Sequence, residues 1–233
     1  MPARCEPHRN SVEFDCNGRS LALGVDHLII AGWTGRDADA TEHHITELEA
    51  IGVRRPRTIP CFYRVGANLL TGAPVIDVTG HDSSGEAEFV LIAAADGLYV
   101  GVGSDHTDRK AETWGVTLAK QMCPKPVGRE LWRFADVADH WDRLVLRSWL
   151  TCDGRRELYQ EGSVASMLAP RDLLRRYAGD GTTLAEGSVM FCGTLAARGG
   201  IRGGARFEIE LEDPVLARCL RHAYDVRELA LAD

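Results

Sequence analysis

No Cys-x-x-Cys pair occurs in the 233 residues, and the seven cysteines, at 5, 16, 61, 123, 152, 192 and 219, stand singly. An odd, dispersed set reads as reduced thiols, each buried and inert by default. The opening residues, Met1 to His8, contain no apolar stretch of signal-peptide type, so a cytoplasmic protein is expected. The longest uninterrupted apolar run, Phe89 to Ala95, is far shorter than the roughly 20 residues a membrane-spanning helix needs. There is no basic block, and the net charge is −7, which argues against nucleic acid and anionic membrane surfaces as partners. A Gly-x-Ser-x-Gly elbow is missing, and Gly101-Val102-Gly103 lacks the third glycine of a dinucleotide fingerprint. Internal repeats and low-complexity tracts are also absent.

What the chain does have is a 45% hydrophobic composition, enough for a real core. One domain, or one domain with a small N-terminal lobe, is the natural expectation for this length. The most informative stretch is 84–109. It reads as two strands joined at Asp96-Gly97, a strong signal for a two-residue hairpin turn. With those two residues as the turn, Ala95 faces Leu98 and Glu88 sits opposite Asp105. Glu86 shares the face of Glu88, because side chains two apart on a strand point the same way. Three carboxylates then converge on one patch of an apolar hairpin. Directly opposed like charges destabilise a sheet, so such a cluster calls for a cation. Ligation by oxygen alone suits Mg²⁺, Mn²⁺ or Ca²⁺ rather than structural zinc. The alternative at this point is a solvated acidic face at the start of a strand.

Elsewhere, 11–31 reads as a hairpin around Asn17-Gly18 followed by a further strand. Residues 41–49 form a short helix, with Thr41 as its cap and Gly52 as its end. On it His44 and Glu47 share a face, and His43 also meets Glu47; an exposed helix with ordinary surface histidines satisfies the same pattern. A strand is expected at 59–65, and a helix from Arg109 to about Met122 interrupted by Gly115, with Lys120 near its end. Strands flank Asp153-Gly154, a helix covers 170–178, and a strand covers 207–211. The tail 214–229 is predicted as a helix opening at Pro214.

Five of these segments resemble, in order, the fumarylacetoacetate hydrolase superfamily, over about residues 32 to 211. Glu86-Ala87-Glu88 with Ser104-Asp105-x-Thr107-x-Arg109 is similar to its Glu-x-Glu … Asn-Asp-x-Ser/Thr-x-Arg signature. Gly35-Arg36-Asp37 with His44-x-x-Glu47 resembles its Gly-Arg/Lys-Asn-Tyr … His-x-x-Glu segment, with Ala38 in place of the usual Tyr. Arg64 stands for the lysine of its Pro-x-x-Phe-x-Lys strand. Lys120-Gln121 resembles its Lys-Ser/Gln stretch. Gly193-Thr194-Leu195 resembles its Gly-Thr-Pro, with Leu for Pro.

The resemblance implies an α+β fold, a mixed β-roll of the fumarylacetoacetate hydrolase C-terminal-domain type, as residues 56–233. Residues 1–55 form a small N-terminal lobe carrying the short catalytic helix. It also implies that Glu86, Glu88 and Asp105 hold Mg²⁺ (or Mn²⁺ or Ca²⁺), and that His44, oriented by Glu47, activates water. Lys120 reaches the metal-bound substrate; Arg36, Arg109, Gln121 and Thr194 bind its carboxylate or oxyanion groups. Asp108 is an extra acid that serves the second shell or caps the helix. The implied activity is metal-dependent hydrolysis of a C–C bond in a 2-oxo or 1,3-dioxo carboxylic acid by a homodimer. Hydration, decarboxylation or isomerisation at the same site, or a non-catalytic relative, are the alternatives.

Overall fold

The computed structural model describes residues 10–50, 55–179 and 183–232. In chain order its main elements are β1 (Asn10–Cys16), β2 (Arg19–Val25), β3 (His27–Gly32), α1 (Ala38–Ala50), β4 (Cys61–Val65) and β5 (Val75–Thr79). Next come β6 (Ala87–Ala94), β7 (Gly97–Ser104), α2 (Arg109–Glu112), α3 (Val116–Met122) and β8 (Trp132–Arg133). The chain continues through β9 (Val145–Cys152), β10 (Arg155–Ser163), α4 (Pro170–Ala178), β11 (Ser188–Phe191), β12 (Arg206–Asp213) and β13 (Arg218–Leu229). The result is a sheet-rich α+β fold. A six-stranded sheet runs β8-β7-β6-β11-β3-β4, and a five-stranded sheet runs β10-β9-β12-β13-β5. No helix among the described residues is long and apolar enough to cross a membrane.

The strand β6 shows why the hydrophobic run exists. Phe89, Leu91 and Ala93 join the core cluster shared with Leu146, Phe207 and Tyr224 of the five-stranded sheet. Val90 and Ile92 point the other way, into a second cluster with Phe14, Leu23 and Val25 of the β1–β2 hairpin. A strand covered on both faces loses polar alternation and reads as continuous apolar sequence. The β3 strand lies inside the six-stranded sheet, paired in parallel with β11.

Three expectations are corrected. The β6–β7 turn residues are Ala95 and Asp96, so Ala94 pairs with Gly97 and Glu88 pairs with Gly103, not Asp105. Gly97 opens β7 with φ +140°, and the Asp96 carboxylate accepts from Tyr99 Oη at 2.9 Å and Arg133 Nη2 at 2.9 Å. The α1 cap is Asp37, whose Oδ1 accepts from the amides of Asp39 and Ala40, both at 3.0 Å; Thr41 Oγ1 instead donates to Asp37 O. The tail predicted as a helix is the strand β13. Its buried residues Leu220 and Tyr224 are four apart, a spacing that fits one strand face as well as one helix face. Pro214 instead enters a turn, which Asp213 Oδ1 holds by accepting from the amides of Val215 and Leu216. Gly52 lies outside the described residues.

Candidate active site

The β6–β7 hairpin delivers the carboxylates. Glu86 precedes β6 and Asp105 follows β7, and the Asp105 amide donates to Glu86 O at 3.0 Å. The register is therefore displaced by two residues from the expected one. Because strand faces repeat every two residues, this displacement leaves Asp105 on the face of Glu86 and Glu88. One ligand oxygen from each of Glu86, Glu88 and Asp105 lies within 4.8 Å of the others. Gly103, opposite Glu88, leaves no room for a side chain: a Cβ there would stand 2.6 Å from the Phe191 ring.

Glu88 is buried, and its Oε2 accepts from the Gly193 amide at 2.6 Å. Gly193 sits at φ +104°, a conformation that favours glycine and aims this N–H at the carboxylate. Burial raises the Glu88 carboxyl well above its usual range, and the charges of Asp105 and Glu86 push the same way. Asp105 is fully buried too. Burial acts to raise it, but the ammonium groups of Lys120 and Lys125 outweigh that and hold it at about 2. Lys120, from α3, forms a short ion pair with Asp105 Oδ2 and stands 3.7 Å from Glu86. Its own pKa is raised: burial opposes this, and Asp105, Glu86 and Glu112 prevail.

Lys125 approaches from the other side. Its Nζ donates to His106 O at 2.5 Å and lies 3.1 Å from Asp105 Oδ1. Oδ1 nevertheless has no hydrogen-bond partner of proper geometry and is buried. Arg109 closes the acidic rim, 3.4 Å from Glu86 and 3.2 Å from Glu112, with its Nε donating to Ser84 Oγ at 2.7 Å. Asp108 caps α2 by accepting from the Ala111 amide at 2.8 Å. Beneath the cluster, Tyr224 Oη donates to Ser104 Oγ at 2.8 Å and lies 2.9 Å from His106 Nδ1. His106 Nε2 in turn lies 2.9 Å from Ser83 Oγ, so both ring nitrogens have a hydroxyl partner.

The donor set fits a hard divalent cation. Three carboxylates present oxygens within one coordination span, one buried oxygen is unsatisfied, and a buried glutamate is destabilised as an anion by its neighbours. The cluster forms one end of a cavity of about 970 Å³.

The cavity brings together Arg36, Glu86, Glu88, Asp105, Arg109, Lys120 and Thr194. Arg36 is already engaged: Nη1 and Nη2 donate to Asp142, both at 2.8 Å, and Nε donates to Met167 O at 3.1 Å. Thr194 Oγ1 donates to Ala87 O at 2.7 Å and accepts from Gln160 Nε2 at 2.8 Å. Gln121 is not brought to the cluster. It is exposed and its Oε1 accepts from the Gly66 amide at 2.8 Å. Ala40 and Thr41 place the start of α1 on the cavity wall, whereas the side chains of His44 and Glu47 lie outside the described residues. Two residues were not foreseen. Lys125 gives no local signal, since it reaches Asp105 from a two-residue strand paired with Leu70-Thr71. Gln160 bridges the Ala87 amide and Thr194; its place ahead of the Gly-Thr segment was the available hint.

Solved structures share this fold. A candidate fumarylpyruvate hydrolase from Burkholderia cenocepacia superposes with a TM-score of 0.66 at 20% identity, over 98% of this chain and 96% of that one. A candidate fumarylacetoacetate isomerase/hydrolase from Oleispira antarctica gives 0.66 at 20% identity, over 93% of this chain and 100% of that one. The 5-carboxymethyl-2-hydroxymuconate delta-isomerase from Mycobacterium smegmatis gives 0.62 at 18% identity, over 91% and 84%. The fold is therefore that of the fumarylacetoacetate hydrolase type. No curated protein matches the chain. By sequence, the chain belongs to the family described as "Protein of unknown function (DUF2848)", which matches residues 31–224.

Proposed function

We propose that this protein is a cytoplasmic, divalent-metal-dependent hydrolase that cleaves a C–C bond in a 2-oxo or 1,3-dioxo carboxylic acid. The observation that carries the reading is the Glu86–Glu88–Asp105 cluster with buried Lys120 at one end of a roomy cavity. In this reading the two packed sheets are the β-roll of the fumarylacetoacetate hydrolase type. Of residues 1–55, the β1–β2 hairpin is the lobe, while β3 and α1 join the roll and its cavity.

Glu86, Glu88 and Asp105 would hold Mg²⁺ or Mn²⁺, which supplies Lewis-acid stabilisation of an enolate when bound. Lys120 and Arg109 face the same end and give the substrate carboxylate its charge-assisted partners. The Gly193 amide fixes Glu88, and Gln160 fixes Thr194, so both sides of the pocket are rigid. His44, oriented by Glu47, takes a proton from water. Arg36 lines the same cavity; its bonds to Asp142 and Met167 O use three of its five N–H groups and leave two for a substrate carboxylate.

Product analysis tests this. Incubation with a 2,4-dioxo acid should yield pyruvate and the shorter acid. Carbon dioxide, a hydrated acid or a double-bond isomer would instead identify a decarboxylase, hydratase or isomerase at the same site, and recovery of unchanged acid would identify a non-catalytic relative.

A further inference from the structure

Asp105 has two buried lysines on it, and they differ in what else they can reach. Lys120 lines the cavity together with Asp105, whereas Lys125 is fully buried and does not line it. Lys125 belongs to the two-residue strand Lys125-Pro126, paired in parallel with Leu70-Thr71. The residues that follow are pinned on both sides. The Val127 amide donates to Thr71 O at 2.9 Å, and the Gly128 amide donates to Val102 O at 2.8 Å. Gly103 admits the strand, because a Cβ there would stand 2.9 Å from Pro126 O. Backbone pairing therefore delivers this ammonium to Asp105 from outside the cavity.

Its contacts are those of a counter-charge rather than of a ligand-binding group. Nζ donates to His106 O and lies 3.1 Å from Asp105 Oδ1; among the described residues no second carboxylate is within ion-pair distance. The approach to Oδ1 lacks hydrogen-bond geometry, so that oxygen keeps its lone pairs while its charge is balanced. Lys120 takes Oδ2 and faces Glu86 at 3.7 Å. Asp105 is thus stabilised as an anion with one oxygen open to a cation. A divalent ion ligated there would share the carboxylate with the Lys125 ammonium. Neither Lys125 nor Asp105 has any exposed surface, so water does little to screen that repulsion. Lys120 borders open space, but Lys125 has none to move into.

Resting on the reading of Glu86, Glu88 and Asp105 as a divalent-metal site, we propose that Lys125 sets its metal affinity. The fixed charge balances Asp105 in the metal-free protein and opposes the incoming ion. One residue therefore stabilises the metal-free fold and weakens ligation.

Metal binding and stability, measured together, test this. Full-length protein stripped with EDTA and desalted would be titrated with Mn²⁺ by calorimetry, and unfolded in urea with EDTA present. Lys125→Met, similar in length and uncharged, should bind Mn²⁺ at least about tenfold more tightly, since like charges a few ångströms apart inside a protein repel by more than that. It should also unfold at lower urea, because Asp105 keeps Lys120 alone. Lys125→Gln, which keeps an N–H donor, should move both quantities the same way. Loss of a merely structural lysine would instead loosen Asp105 and weaken Mn²⁺ binding together with stability. Equal or weaker Mn²⁺ binding by the folded variants would overturn the inference and leave the metal reading standing, as would two variants that fail to fold even with Mn²⁺ present. If neither the natural protein nor the variants bind Mn²⁺, the metal reading falls and the inference falls with it.

Discussion

The Asp105 amide donates to the Glu86 carbonyl at 3.0 Å, so the last bond of the β6–β7 hairpin lies directly beneath the acidic cluster. The carboxylates are placed by backbone pairing, and the cations that offset them come from elements further along the chain. Lys120 arrives from α3 and Lys125 from the short strand after it. The cluster is thus a meeting point of separate parts of the fold, and its charge balance decides both stability and ligation.

Removing one cation exposes that balance. Lys120→Met leaves buried Asp105 with Lys125 alone and should destabilise the protein by about 3–5 kcal/mol in EDTA, the range for breaking a buried pair. Mn²⁺ should restore more stability to the variant than it adds to the natural protein, since the ion supplies the missing positive charge. Urea unfolding with and without Mn²⁺ measures both; a variant as stable as the natural protein in EDTA would contradict the account.

His106 should make the protein less stable as pH falls below neutral, while Glu88, whose carboxyl is raised by burial, works in the opposite direction. Burial, with Lys125 and Arg109 nearby, lowers His106 to about 3. An unfolded histidine titrates near about 6.5. Between those values the unfolded chain binds a proton that the folded chain refuses, so this contribution is complete above about pH 6.5 and falls as pH drops. The slope from His106 should approach about 1.4 kcal/mol per pH unit. Half-buried His222, also lowered by its burial, adds in the same direction. Asp105, held at about 2, loses its contribution only below about pH 4. Urea midpoints at pH 7.5, 6.0 and 5.0 should therefore fall less steeply for His106→Gln than for the natural protein; identical slopes would contradict this.

Parts of this arrangement can be read from sequence because they depend on a short period. Glu86 and Glu88 must share a strand face, and Asp105 stays on that face under a two-residue slip, though a one-residue slip would have removed it. Lys120 is legible as the end of a helix. The turn position is not, because Asp-Gly fits two placements and the Asp96 contacts with Tyr99 and Arg133 favour one. Neither is the engagement of Arg36, which depends on Asp142, 106 residues away. The strand β13 was hidden by a four-residue spacing that both periodicities accept.

Water activation should depend on α1. His44→Ala should lower kcat by about 10²–10⁴-fold, the range for losing a positioned general base, with metal affinity almost unchanged. Glu47→Gln should also slow turnover by disfavouring the imidazolium, and His43→Ala should have little effect. Turnover abolished by His43→Ala and untouched by His44→Ala would move the base by one residue.

Association should use the surface around α3. Trp114, Leu118 and Met122, four residues apart in succession, are 70%, 51% and 40% exposed. An apolar run of this size in water suits a subunit contact. Light scattering should give a homodimer at micromolar concentration, weakened by Leu118→Glu; a monomeric natural protein would contradict this.

The most direct measurement is pyruvate release from a 2,4-dioxo acid such as 2,4-dioxooctanoate, followed before and after Mg²⁺ is added to EDTA-treated protein. Release should occur only with the metal, and should be lost in Glu88→Gln while the variant stays folded. Release that is unchanged by EDTA, or retained in full by Glu88→Gln, would contradict it.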